Sequence, residues 1–389
     1  MACAMPERDH HPSVLLVDPL YTVKGGGAAV TFWAMEALKK EFRLSVLAWG
    51  DFDLDEGNRL FGTAVGRDEF ALLQPPALIK WTGETLNRID PDPWSVQRWA
   101  LLMRWAGREA RGYDAVLCTN SEICLPAPCL QYIHFPYIGE SAHKRESTGR
   151  RPWEIISDFD ASRVKKNRSL VNSDWTGAVH RSYYGGATHT LYPPVPGDFP
   201  RQPWEQRENG FVCVGRFNGD KRLDRIIDMV QSVRASHPEF HLHLVGLPMS
   251  EESGGVEYYK HLRRRVAEHP DWLFLEEGLS RDDMLKLLSH HRYGIHAKQD
   301  EHFGIAVAEL VKAGCITFAH RSGGQVEIIG DQRLLYDDQD EMVRRVLSVI
   351  ESPGEHEALR ERLKSQARLF SAVRVSSELI VHVREFISS

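Results

Sequence analysis

Short apolar runs rich in β-branched residues alternate along the chain with segments whose apolar positions recur every three or four residues. The strand-like runs fall at 13–18, 44–49, 115–120, 130–135, 170–173 and 188–192 in the first half, and at 211–216, 241–246, 273–276, 293–297, 316–320 and 334–336 in the second. Near-continuous apolar runs of this length suit strands buried on both faces, and the helical period between them supplies the crossovers that parallel strands need. The pattern predicts an α/β chain with two Rossmann-like domains, each half building its own parallel sheet.

One helix shows the period most plainly. Leu223, Ile226, Ile227, Val230 and Val233 stand at i, i+3, i+4, i+7 and i+10, a single stripe that has to face the sheet. Between the halves, Pro193, Pro194, Pro196 and Pro200 can neither continue a helix nor donate ladder hydrogen bonds. The domain boundary is therefore expected there, with domains at 1–195 and 196–370. The remaining segment, 371–389, carries Val373, Val375, Leu379, Ile380, Val383 and Phe386, more apolar surface than a solvated tail would show, and is expected to return as a helix to the first domain.

Composition narrows the class. A chain of 389 residues is too long for one ordinary core, and 42% hydrophobic with 26% charged residues is the balance of a soluble globular protein. A net charge of −6 provides no global attraction for nucleic acid, so no nucleic-acid partner is expected. The first strand begins too early for a signal peptide to precede it, and no apolar stretch reaches the roughly 18–20 residues of a membrane span, so a cytoplasmic location is expected. Of six cysteines only Cys118, Cys124 and Cys129 lie near one another, without the paired spacing of a zinc site, and idle thiols are expected. Asn167-Arg168-Ser169 fits a glycosylation acceptor by pattern only.

Three segments can carry chemistry. Asp18 ends the first strand, and Lys24-Gly25-Gly26-Gly27 precedes a helical run at 28–40. Glycines at a helix N-terminus let backbone N–H groups approach an anion, although a tight turn with no ligand reads the same way. The second domain's first strand leads into Gly215-Arg216-Phe217-Asn218-Gly219-Asp220-Lys221. Arg216 is a bidentate fork and Lys221 a point charge, which together suit a diphosphate; surface cations paired with Asp220 or Asp224 are the other reading. The third segment, from Lys298 to Glu309, follows a strand and runs into a helix. Glu301 stands just before that helix, Gly304 opens the approach to the amides at Phe303, Gly304 and Ile305, and Glu309 lies further along. Two acids beside a dianion are costly unless ligand hydroxyls or nearby cations satisfy them. Paired carboxylates also serve glycoside hydrolysis, but a helix N-terminus with an Arg/Lys pair favours an anionic leaving group that needs no protonation.

On these residues the sequence resembles glycosyltransferase family 4, the retaining GT-B enzymes, over nearly its whole length. Glu301 to Glu309 matches the family's E-x7-E motif, Gly215-Arg216 with Lys221 its G-R-x4-K clamp, and Gly25 to Gly27 is similar to its N-terminal glycine loop. Gln131-Tyr132-Ile133-His134-Phe135-Pro136, Asn172-Ser173-Asp174-Trp175-Thr176 and Arg321-Ser322-Gly323-Gly324 look like the members that extend lipid-linked oligosaccharides with α-1,2-mannose from GDP-mannose. Against the pattern of the eukaryotic members, an N-terminal membrane helix is not expected here, and Gln325-Val326-Glu327 follows the glycine pair.

The resemblance implies a GT-B fold and a role for each residue. Arg216 and Lys221 would neutralise the leaving diphosphate, and Glu309 would hold ribose hydroxyls. Glu301 with the backbone at Phe303, Gly304 and Ile305 would position the donor sugar and its phosphate, and His134 would reach the transferred sugar. The acceptor hydroxyl would attack on the face the diphosphate leaves, with a phosphate oxygen taking the proton. No metal and no cofactor are expected, and activity should survive EDTA. The donor is a nucleotide diphosphate sugar, GDP- or UDP-linked, and the acceptor a glycan, lipid-linked or small-molecule hydroxyl. A sugar-nucleotide epimerase of the same architecture, or a non-catalytic nucleotide-sugar-binding subunit, would use the same clamp.

Segment 90–112 carries Trp94, Trp99, Leu101, Leu102, Met103 and Trp105 with Arg98, Arg104, Arg108 and Arg111. It reads either as an amphipathic element on an anionic membrane surface or as a domain helix that buries its tryptophans. His143-Lys144-Arg145, Arg150-Arg151 and Lys165-Lys166 form a second basic group, suited to lipid phosphate or simply solvated.

Overall fold

The computed structural model describes residues 11–89, 95–144, 151–247 and 255–389. The chain divides into two units, Met1–Pro194 with Ala372–Ser389, and Val195–Ser371. The first holds β1 (Ser13–Val17), β2 (Arg43–Leu47), β3 (Ala71–Leu73), β4 (Ala115–Cys118), β5 (Leu130–Ile133), β6 (Arg168–Val171) and β7 (Thr188–Thr190) in one parallel sheet ordered β3-β2-β1-β4-β5-β6-β7. The second holds β8 (Glu208–Val214), β9 (His241–Gly246), β10 (Leu273–Glu277), β11 (His291–His296), β12 (Ile316–His320) and β13 (Leu335–Tyr336), parallel and ordered β10-β9-β8-β11-β12-β13. All residues of β1, β4 and β5 are buried, as strands covered by helices on both faces must be.

In each sheet the strand order reverses once, between β1 and β4 and between β8 and β11. Crossovers on either side of such a reversal leave on opposite faces, and the crevice beyond the strands' carboxyl ends is where open α/β sheets bind ligands. The segments after β1, β8 and β11 are the ones that carry the glycine loop, Arg216 with Lys221, and Glu301.

The helix Leu223–Arg234 buries Leu223, Ile226, Ile227, Val230 and Val233, the whole stripe, together with Met229. Helix Ala372–Ile387 buries Val375, Leu379 and Val383 in the first unit's core, against Val30, Ala34 and Leu117 among others. Burial of three aliphatic side chains stabilises this attachment by on the order of 5 kcal/mol, and Arg384 pairs with Glu41 and Glu385 with Arg168 at its rim.

The structure adds one strand and decides between the two readings of the Trp/Arg segment. The strand β3 is absent from the apolar pattern, because it has only three residues, sits at the sheet edge with Ala71 exposed, and runs into Pro75-Pro76. The Trp/Arg segment forms the helix Val96–Glu109, and its apolar face is already occupied. Trp99, Leu102, Met103 and Ala106 are buried with Leu15, Val17 and Leu47, and Leu101 and Trp105 pack at the edge of that cluster. The buried-helix reading holds, and a membrane-facing role for these residues does not. Trp94 lies outside the described residues, as do Arg145 and Arg150. Asn167 is buried, donating to Ile123 O at 2.8 Å and Gln131 Oε1 at 3.0 Å, so it is no glycan acceptor. Cys118, Cys124, Cys129, Cys213 and Cys315 are free and buried.

Candidate functional site

In the second unit, β8 ends where Gly215 N–H donates to Val245 O at 2.9 Å. The chain then turns through Arg216 and a short 3-10 turn at Gly219–Lys221 into the helix Leu223–Arg234. Gly215 leaves room for the Lys221 stem: a Cβ there would lie 3.4 Å from Lys221 Cδ. That path brings Lys221 Nζ to 2.7 Å from Glu301 Oε2, with both side chains about five-sixths buried at 16% and 15% exposure. Arg216 is exposed and forms no ion pair among the described residues, so its guanidinium is unspent. The reading of Arg216 and Lys221 as cations paired with Asp220 or Asp224 is not what the structure shows; Asp224 accepts from Tyr258 OH at 2.8 Å instead.

Burial alone would raise the Glu301 carboxyl, yet Lys221, His296 and Lys298 outweigh it and hold the group down at about 2. Burial, helped by Lys221, lowers His296 to about 4, so that ring is neutral near pH 7. At neutral pH the cation that counts beside Glu301 is therefore Lys221, with Lys298 Nζ 3.8 Å from the other oxygen.

His296 itself had no signal in the sequence. Gln325 Nε2 donates to Lys298 O at 2.8 Å and Ser322 O at 3.0 Å, which fixes its Oε1 as the acceptor for His296 Nδ1–H at 3.1 Å. The neutral ring then presents Nε2 as a lone pair, buried without a partner and 3.7 Å from Glu301 Oε2. A lone pair and a carboxylate side by side form a place for a hydroxyl donor.

The backbone around Glu301 is set by glycines. Glu301 O accepts from Gly324 N–H at 2.8 Å, and a Cβ on Gly323 would fall 2.3 Å from that same oxygen. Gly304, at φ +105°, caps the helix Ile305–Lys312. The N–H groups of Ile305, Ala306 and Val307 have no partner inside the helix, and the dipole there favours an anion. Phe303 is buried, its ring edge-on to Phe370 at 5.4 Å, so only its backbone is available to a ligand. Glu309, on the same helix, is buried and pairs with Arg281, whose other nitrogen donates to Pro196 O at 2.9 Å. Arg281 was also missed, since its partner is distant in sequence.

In the first unit, Gly25 takes φ +91° at the start of the helix Gly26–Leu38. Gly27 stands beside His134: a Cβ there would lie 3.8 Å from the ring Nε2. His134 Nε2 donates to Thr119 O at 2.8 Å, and burial lowers the ring to about 4, so Nδ1 is a lone pair at neutral pH. Its backbone is held by Ser121 Oγ at 3.2 Å and Asn172 Nδ2 at 2.8 Å. Asp18 ties this end of the sheet together, accepting from Leu20 N–H, Thr31 Oγ1 and Thr119 Oγ1 at 2.8, 2.7 and 3.1 Å. Gly25 to Gly27 and His134 thus form one cluster, and Lys221, Glu301 and the Gly304 cap another, with Arg216 and Glu309 on its adjoining elements.

Comparison with known proteins gives the same direction. Residues 196–370 match the family described as Glycosyl transferases group 1. A Candida glabrata protein named GDP-Man:Man(3)GlcNAc(2)-PP-Dol alpha-1,2-mannosyltransferase is 30% identical over 222 residues, 51% of this chain and 44% of that protein. A Dictyostelium discoideum protein of the same name is 25% identical over 446 aligned positions, 97% of this chain and 85% of that one. In fold, the chain is similar to Anabaena HepE in complex with UDP and glucose, with a TM-score of 0.65 at 15% identity over 96% of this chain and 100% of the other. The chain covers less than half of the first relative's length and most of the second's.

Proposed function

We infer that this chain, whose residues 196–370 match the group 1 glycosyltransferases, moves a hexose from a nucleotide diphosphate sugar to an acceptor hydroxyl with retention of configuration. The observation that carries the reading is the largely buried Lys221–Glu301 pair beside a glycine-capped helix N-terminus, at the strand ends where the sheet order reverses. A diphosphate fits cations and free amides, while the two carboxylates fit hydroxyls: Glu301 those of the sugar, together with His296 Nε2, and Glu309 those of the ribose through the oxygen Arg281 leaves over. The names of the relatives make mannose from GDP-mannose the best donor and a lipid-linked oligosaccharide the best acceptor.

In this mechanism Lys221, Arg216 and the amides of Ile305 to Val307 take up the charge that develops on the leaving phosphate. The acceptor hydroxyl passes its proton to a phosphate oxygen as the new bond forms on the face being vacated. Fixed cations and amides do the work that a divalent ion does at a carboxylate-metal site, so neither metal nor cofactor is required at the clamp.

A thermal-shift panel of GDP, UDP, ADP and their sugars tests the reading, because a ligand that binds only the folded state raises the apparent melting temperature with concentration. GDP and GDP-mannose are expected to stabilise the protein and the others not, and mannose transfer is expected to continue in EDTA. Stabilisation by UDP alone would replace the donor. Activity lost to EDTA and restored by Mg²⁺ would remove the metal-free clamp, and an epimerised nucleotide sugar formed without acceptor would replace transfer altogether.

A lipid-linked acceptor places the enzyme at a membrane surface, on the cytosolic side in this reading. No described helix is long and apolar enough to cross a membrane. The contact we propose is the helix Ala77–Ile89, where Leu78, Trp81 and Ile89 are exposed at 72%, 66% and 75%. At 100° per residue these fall on one face, and between them Thr82 and Thr85 return their hydroxyls to the backbone at Leu78 O and Trp81 O. The two threonine hydroxyls are thus satisfied, and Arg88, exposed and only about 20° round the helix from Trp81, puts a cation at the edge of this apolar face where anionic headgroups would lie. Leu78→Ser with Trp81→Ser is expected to lower binding to phosphatidylcholine–phosphatidylserine vesicles about tenfold or more, since each large apolar side chain is worth about 1.5–3 kcal/mol on leaving water. Unchanged cosedimentation would place the membrane contact elsewhere.

A further inference from the structure

At the opposite end of the second sheet, where β8, β9 and β11 begin, three histidines and a glutamate converge. His241 and His243 are two residues apart on β9 and so face the same side; His291 opens β11, and Glu208 opens β8 between them. His241 Nε2 is 3.0 Å from His291 Nε2 and 3.2 Å from Glu208 Oε2, and His291 Nε2 is 3.8 Å from Glu208 Oε2. One ring nitrogen each of His241, His243 and His291 lies within 4.8 Å of the others. The pocket exists because β8 has a glycine opposite His241: a Cβ on Gly210 would fall 2.2 Å from His241 Nε2.

The hydrogen-bond roles leave this cluster rich in lone pairs and poor in protons. His291 Nδ1 faces Leu287 O at 2.7 Å and must donate to it, so in the neutral ring Nε2 is a bare lone pair. His243 Nδ1 lies 2.8 Å from Glu276 Oε1, the carboxylate contact that fixes a metal-binding imidazole's tautomer and turns its Nε2 outward. His291 Nε2 and Glu208 Oε2 are both acceptors, and the single Nε2–H that His241 can offer cannot serve both well. A cation can. Ligands bonded at about 2.0–2.1 Å in a tetrahedron stand about 3.3 Å apart, which is the spacing seen among His241, His291 and Glu208.

We propose that His241, His243, His291 and Glu208 form a structural site for a divalent first-row metal, zinc by the chemistry of its ligands, that staples three adjacent strands of the second unit. Imidazole nitrogens and a carboxylate oxygen are ligands zinc accepts, and Glu208 beside His241 and His291 offers a protein oxygen where an open site would keep a water, so the site is assigned a structural role. The site is remote from the clamp: β11 runs six residues from His291 to His296 before Lys298 and Glu301 follow, about 20 Å of extended chain. It therefore acts on stability and leaves transfer chemistry to the other end.

The test uses the full chain, stripped with chelator, dialysed, and titrated with Zn²⁺ or Co²⁺ alone at pH 7.5. One tight equivalent is expected, with the visible bands of four-coordinate Co²⁺ and a rise in melting temperature of roughly 5 °C at saturating Zn²⁺. His241→Gln and His243→Gln should each weaken binding by at least about tenfold and remove the bands, with Glu208→Gln, at an exposed carboxylate, as the variant least able to disturb folding. Absence of Co²⁺ bands from the wild-type chain would overturn the proposal. So would a stoichiometry and melting shift that persist unchanged in folded His241→Gln and Glu208→Gln, since metal would then be bound by other histidines of the chain.

Discussion

Replacing Lys221 by alanine is expected to lower kcat/KM for transfer by at least about a thousand-fold with the fold retained. The ammonium has two partners in this mechanism, Glu301 at 2.7 Å before the donor arrives and the diphosphate as it leaves. Removing one donor aimed at developing charge costs about 10²–10³ in rate, and a full cation in a partly buried site sits at or above that range. The same substitution strands Glu301, a carboxylate at 15% exposure that owes its low position to this neighbour. With Lys221 gone, burial is left to raise the group, opposed by Lys298 at 3.8 Å and a neutral His296.

That coupling gives the variant a second signature, in stability. A carboxyl held at about 2 in the folded chain and near its ordinary value unfolded stabilises the fold above the unfolded pKa, and the contribution is lost as pH falls toward 2. Lys221→Ala should therefore lose stability at neutral pH and show a flatter decline on acidification, read by denaturant melts between about pH 7 and 3. Lys221→Arg restores charge but has to fit a longer planar group against Gly215, so only partial rescue of kcat/KM is expected. A loss below about tenfold in Lys221→Ala would take Lys221 out of the clamp.

The parts of the site that could be read in the sequence are those that lie close together along the chain. Gly304 and Glu301 share one turn, Arg216 and Lys221 share another, and turn chemistry and helix starts are local facts. The same locality made twelve strands visible as apolar runs and left β3 invisible, since three residues at a sheet edge carry no pattern to detect. What stayed hidden was pairing through space. Arg281 and Glu309 come from neighbouring helices, His296 owes its bare Nε2 to Gln325, and neither pairing has a spacing that announces it. Gln325 stood out only as a departure after the glycine pair, and its three hydrogen bonds now account for the residue type. The Trp/Arg segment stayed open between two readings for the opposite reason: an amphipathic stripe is the same whether it meets a sheet or a lipid, and only the fold decides.

Gly304→Val tests whether the phosphates rest on the helix Ile305–Lys312, and it is expected to weaken GDP binding by about a hundred-fold or more. Gly304 sits at φ +105°, a conformation L side chains rarely adopt, and the strain there costs on the order of 1–3 kcal/mol. A Cβ at this position would meet Val307 Cγ2 at 3.3 Å, Glu301 Cγ at 3.4 Å and Gln325 Cβ at 3.5 Å, so a branched side chain has three close neighbours to push. Valine relieves the strain by rotating the cap, which turns the amides of Ile305 to Val307 away and shifts Glu301 against Lys221. Gly304→Ala adds the strain with less bulk and should lose about tenfold. A graded loss from glycine through alanine to valine, measured by calorimetry on variants that keep the wild-type circular dichroism, separates close approach of the backbone to the ligand from general destabilisation. If both variants bound GDP as the wild type does, the anion would have to be held by Arg216 and Lys221 alone, and the helix N-terminus would have no part in donor recognition.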